Sequence, residues 1–146
     1  MKCRIEVDQT LAEGEVVIFT PEIDKEILDL KNRIENDSPQ VLTGFNEDKL
    51  SFIDPDKIIR VYANDKKVFA VMDDREYLLR LALYQVEERL DNNKFIRISN
   101  SEIINLEKTR EFDLSYVGTI SCEMVNGDVC FVSRRSLKKV KEVLGI

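Results

Sequence analysis

The chain has 146 residues, of which 43% are hydrophobic. That is the length of one domain, or of one domain with a small appendage, and the composition suits a packed core rather than disorder. No apolar run reaches the length of a bilayer span, the N-terminus has no signal-peptide plan, and three cysteines without a Cys-x-x-Cys spacing fit a reduced cytoplasmic chain.

The charge is uneven. The net value is −6, but residues 1–44 hold five Lys/Arg against ten Asp/Glu, and residues 45–146 hold 17 against 18. Residues 133–146 carry five cations and the single acid Glu142. DNA responds to local potential within roughly 10 Å rather than to total charge. A basic end on a near-neutral body is therefore compatible with DNA binding.

In chain order, Lys2–Val7 alternates and reads as a strand, as does Val16–Phe19. Thr20 can cap a helix with Pro21 at its first position. Ile23, Ile27, Leu30 and Ile34 then form one apolar stripe. Residues 1–44 thus read as a small ββα appendage, and Asn36–Pro39 as the start of a linker. Val41–Phe45 and Lys49–Ile53 are short strands, and Asp54-Pro55-Asp56 is a turn. Ile58–Tyr62 and Val68–Met72 read as a hairpin around the polar Ala63–Lys67. Ile58–Tyr62 is apolar enough to suggest burial on both faces at one end. Tyr77–Leu81 is a strand or a helix entry, and Ala82–Leu90 a helix.

Lys94–Leu106 reads as two strands meeting at a tight Ser99-Asn100-Ser101 corner. Residues 106–114 receive no clear element. Thr119–Met124 and Val129–Val132 pair around Asn126-Gly127, a strong hairpin signal, with Cys122 and Cys130 as small buried thiols. Ser133–Ser136 leads into a helical tail over Leu137–Leu144, with Leu137, Val140 and Leu144 on one face.

Catalysis finds little support. There is no histidine, no nucleophile elbow, no P-loop and no G-x-G-x-x-G, and Asp73-Asp74 reads as a turn rather than an acid dyad. Without histidine or clustered cysteine no zinc site is expected, nor any cofactor or small-molecule substrate. DNA recognition needs cations for phosphates and forked or amide donors for base edges. Arg135 can take a guanine edge and Asn100 an adenine edge. Lys66, Lys67 and Lys138 suit phosphates, as do the hydroxyls of Ser101, Ser133 and Ser136. The alternative is a β-rich interaction module whose basic loops bind an acidic protein.

Two stretches carry a resemblance. Phe95, Arg97, Ser101, Ile103, Ile104 and Asn105 are followed by Asn126-Gly127, and then by Val132-Ser133-Arg134-Arg135 with Lys138-Lys139. This order resembles the LytTR DNA-binding domain of bacterial transcription regulators, over roughly Lys49 to Ile146. One departure stands out: the family usually has histidine where this chain has Ser99.

The resemblance implies a mainly β fold (α+β overall) of stacked antiparallel sheets with short helices over 45–146. It also implies loops that read successive major grooves of double-stranded promoter DNA, with Lys66, Asn100 and Arg135 as the carried-over positions. Beside them lie Lys67, Ser99, Ser101, Ser133, Arg134, Ser136 and Lys138. It further implies paired copies, a homodimer on imperfect direct repeats, with a membrane-embedded regulatory protein as a partner. Residues 1–44 are too few for a phosphoacceptor receiver domain.

Overall fold

The computed structural model describes residues 2–35 and 41–146. The linker expected over Asn36–Pro39 lies outside them. The chain divides into two units, Met1–Pro39 and Gln40–Ile146.

The first unit departs from the expected ββα plan. Residues 2–19 contain no strand. Their alternation is suitable, but a strand is stable only when its N–H and C=O groups find a ladder. Ile5, Val7 and Phe19 accordingly stay 85–90% exposed. One helix forms, α1 (Lys25–Glu35). It starts later than Thr20-Pro21 suggested. The Asp24 carboxylate accepts the Ile27 N–H at 2.9 Å and so caps the helix, whereas the Thr20 hydroxyl donates to the Glu22 carbonyl. No residue of α1 is buried.

The second unit is built on a seven-stranded antiparallel sheet. Its strands are β1 (Leu42–Asn46), β2 (Lys49–Ile53), β3 (Arg60–Asn64), β4 (Lys67–Val71), β5 (Glu76–Leu79), β6 (Phe95–Ser99) and β7 (Glu102–Asn105). Their order is β2-β1-β5-β4-β3-β7-β6. β8 (Thr109–Asp113), β9 (Ser121–Met124) and β10 (Val129–Phe131) form a second sheet, and the short helices are α2 (Leu83–Arg89) and α3 (Leu137–Leu144). The boundary expected after Gly44 cuts β1, which pairs with both β2 and β5. Gly44 is close-packed there: a Cβ would lie 2.5 Å from Ile53 Cδ1 and 2.7 Å from Tyr77 Cβ.

Two cores explain the apolar doublets. Successive strand residues point to opposite faces, yet Ile103 and Ile104 are both fully buried. Ile103 joins Val61, Val68, Leu79, Leu83 and Val86 in a core on the α2 face. Ile104 joins Ile59, Ile96, Ile98, Met124 and Val140 in a core closed by the second sheet and α3. The sheet is therefore covered on both faces around β3, β7 and β6, and Ile58-Ile59 splits between the cores in the same way.

Asn105, the one buried polar residue among those described, fastens this region. Its amide donates to the Ile58 carbonyl at 2.8 Å and its Oδ1 accepts the Glu107 N–H. β8 is the strand the sequence did not announce. In Thr-Arg-Glu-Phe-Asp only Thr109 and Phe112 are even half-buried, so pairing with β9, and not an apolar pattern, makes it a strand.

Candidate nucleic-acid interface

Three turns meet at one end of the large sheet. The first is the two-residue turn of the β3–β4 hairpin, with Asn64 opposite Lys67. Asp65 and Lys66 both adopt left-handed backbone, φ 50° and 63°, as a type I′ hairpin requires. The second is Asn100-Ser101 between β6 and β7, with Ser99 opposite Glu102 and a bulge between Arg97 and Ser99. The third is Ser133–Ser136, which follows β10 and leads into α3.

Backbone bonds hold the turns side by side. The Ala63 N–H donates to the Ser101 carbonyl at 2.8 Å, tying the second turn to β3 just before the first. The Ser133 N–H donates to the Ile98 carbonyl at 2.8 Å, tying the third turn to the end of β6. The convergence comes from β3 pairing with β7 and from the second sheet packing behind β6; residue spacing does not encode it.

Each turn is also fixed internally. Arg97 forks over the second turn: Nε donates to the Ser99 carbonyl at 2.8 Å and Nη2 to the Asn100 carbonyl at 2.6 Å. Its Nη1 bonds Glu87 of α2 at 2.9 Å. The Ser99 hydroxyl accepts the Ser101 N–H and lies 3.3 Å from the Ser101 hydroxyl. In the third turn the Ser133 hydroxyl donates to the Ser136 hydroxyl at 3.0 Å, and the Ser136 N–H donates to the Ser133 carbonyl. Three of the serines singled out in the sequence, Ser99, Ser133 and Ser136, are thus half-buried and engaged within their own turns.

The remaining candidates face outward. Lys66, Lys67, Asn100, Ser101, Arg134, Arg135 and Lys138 are all exposed. Among the described residues none of the five cations in this set takes part in an ion pair. The arginines behind them differ. Arg60 bridges Glu102 at 2.8 Å and Asp128 at 2.9 Å, linking β3 and β7 to the hairpin loop before β10. Burial works against the Arg60 charge, but its bonds to Asp128 and Glu102 outweigh that and raise its pKa. Arg60 in turn holds the Asp128 carboxyl below the ordinary carboxylate value, against a smaller effect of burial. Arg97, one of the residues that carry the family resemblance, is engaged by the turn carbonyls and Glu87.

Behind the site, Cys122 and Cys130 face each other across β9 and β10 as buried free thiols. The Cys130 thiol donates to Glu102 at 3.2 Å. Its contact with Cys122, burial and the Glu102 charge hold it strongly in the protonated form. The β9–β10 loop carries Gly127 at φ 91°. The Gly127 N–H bonds the Met124 carbonyl and the Met124 N–H bonds the Asp128 carbonyl, a three-residue loop closed by a left-handed glycine. Among the described residues no helix is long and apolar enough to cross a membrane, and no group of His, Cys, Asp and Glu could hold a metal ion.

The second unit is thus a mainly antiparallel β body with three fixed turns at one end that carry cations engaged in no ion pair among the described residues. The family of the LytTr DNA-binding domain matches residues 48–145, and the chain belongs to that family. It is 28% identical over 147 residues to an HTH-type transcriptional regulator, described as uncharacterized, of Staphylococcus aureus strain NCTC 8325, covering all of this chain and 99% of the relative. The counterpart in strain MSSA476 matches at the same identity and coverage. That similarity includes the first unit, which the family match leaves out.

A solved LytTr DNA-binding domain from Bacillus cereus shares the fold, with a TM-score of 0.69 and 24% identity over 73% of this chain and 97% of that one. The helix-turn-helix in the relatives' names has no counterpart among the described residues here. α2 and α3 are separated in the chain by β6 to β10.

Proposed function

We propose that this protein is a cytoplasmic transcription regulator that binds double-stranded promoter DNA sequence-specifically through the three turns, which enter successive major grooves. Asn100 and Arg135 read base edges. Lys66, Lys67, Arg134 and Lys138 bind phosphates together with the Ser101 hydroxyl. Ser99, Ser133 and Ser136 shape the turns that carry these groups. Copies pair as a homodimer on imperfect direct repeats, and a membrane-embedded protein is the partner that would hold the regulator in check.

The observation that carries this reading is the set of exposed, unpaired cations and Asn100 on turns bonded side by side, while the neighbouring arginines are neutralised. An amide and a guanidinium can each make two bonds to a purine edge, and the lysines supply sequence-independent attraction.

The test is fluorescence anisotropy with DNA from upstream of the gene encoding this protein, against a scrambled duplex, at two salt concentrations. Preference for the native duplex should survive added salt. Arg135→Ala should cost about 1–3 kcal/mol and relax specificity at one base pair, and Asn100→Ala should do the same at another. Failure of the protein to bind any selected duplex even at low salt would overturn the reading in favour of an acidic protein partner for the basic turns.

A further inference from the structure

We propose that α1 is the dimerisation seam of this protein, pairing in parallel with α1 of a second copy as a short two-stranded coiled coil. This gives the homodimer a surface and rests on that part of the functional reading alone, since it concerns the protein free of DNA.

An 11-residue helix with no buried residue is marginal in water unless its apolar face is covered. That face is a defined seam. Ile27, Leu30 and Ile34 follow one another at three and four residues, the a-d-a spacing of a heptad. β-branched isoleucine at both a positions with leucine at d is the combination that favours a parallel pair over higher assemblies. In the parallel register Ile27, Leu30 and Ile34 each meet their own equivalent, and all lie within Lys25–Glu35. An antiparallel pair would instead set Ile34 against Ile23, which precedes the Asp24 cap and lies outside the helix.

The flanking charges fit the same arrangement. Glu26 occupies the g position before Ile27, and Lys31 the e position after Leu30. In a parallel coiled coil a g residue faces the e residue five positions on in the other helix. Glu26 of each copy therefore faces Lys31 of the other, and the two-fold axis makes the pair twice. Lys31 already bonds Glu35 within its own helix at 2.9 Å, and its three N–H donors allow it to hold both carboxylates.

The experiment is sedimentation equilibrium of the full chain without DNA over a concentration series. The wild type should pass from the mass of one chain to that of two as concentration rises. Leu30→Glu, which puts a charge into the seam, should stay monomeric. Glu26→Lys and Lys31→Glu, each alone, replace attraction by repulsion at both symmetric pairs and should raise the dimerisation midpoint about tenfold. The double variant Glu26→Lys/Lys31→Glu should return towards wild type. Both variants carrying Lys31→Glu lose the Lys31–Glu35 bond equally, so recovery isolates the pairing between copies.

A wild type that stays monomeric up to roughly 1 mM, or a Leu30→Glu variant that dimerises like wild type, would overturn the seam. A double variant weaker than either single would overturn the parallel geometry. Each of these outcomes leaves DNA binding by the second unit to be read separately by anisotropy.

Discussion

Arg97 braces the β6–β7 turn from within the protein. Its guanidinium spans two turn carbonyls and Glu87 of α2, so the Asn100 side chain projects from a braced backbone. Arg97→Ala removes all three bonds. It should lower stability by about 1–3 kcal/mol and blur discrimination at the base pair that Asn100 is proposed to read. The salt dependence of binding should not change, because no phosphate contact is lost. Arg97→Lys should not rescue, since one ammonium cannot span the two carbonyls and the carboxylate as a planar fork does. Parallel urea melts and anisotropy titrations on the variants would measure this, and a flatter salt slope in Arg97→Ala would instead place Arg97 on the phosphates.

Among the elements, the β3–β4 turn holds a lysine in left-handed backbone. Lys66 sits at φ 63°, where an L side chain costs about 1 kcal/mol relative to glycine. Lys66→Gly should therefore raise stability by up to about 1 kcal/mol. It should also weaken DNA binding uniformly across sequences and reduce the salt slope by about 1. Opposite movement of the two readouts would mark Lys66 as a phosphate contact held in a strained conformation. If affinity is unchanged, the turn lies clear of DNA.

The strands themselves were largely legible. β2 and α3 have the bounds that their alternation or stripe suggests, whereas β6 runs one residue further, through Ser99, which the sequence placed in the corner. β3 and β4 extend to a turn of only two residues, because pairing carries the ladder through Asn64 and Lys67. β8 was not legible, since a charged strand on the edge of a sheet has no apolar pattern to betray it.

For the whole molecule, the link between the two sheets should respond to acid. Arg60 joins Glu102 of β7 to Asp128 of the β9–β10 loop, and the Asp128 carboxyl has a lowered pKa. A group whose pKa is lower folded than unfolded stabilises above its unfolded value, about 4, and loses that contribution as pH falls through the folded value. Asp128→Asn should thus cost stability at neutral pH, by less than about 1 kcal/mol because the carboxylate is 37% exposed and partly screened. The gap between wild type and variant should close as the pH drops below about 4. Chemical melts across that range would show it, and a gap independent of pH would mean that the Arg60 bridge is not electrostatic.

The sequence by itself determined the strand-rich class, the Asn126-Gly127 hairpin, the tail helix, the basic end, and the ordered pattern from Phe95 to Lys139 that marks the family. These depend on local periodicity, turn chemistry and charge, all of which are written along the chain. Tertiary structure alone decided that the strand candidates of residues 2–19 stay unpaired, that Arg60 and Arg97 are neutralised, and that three turns dispersed along the chain share one end of a sheet. Each of these depends on which strand lies beside which, and long-range pairing leaves no periodic trace in the residues that take part in it.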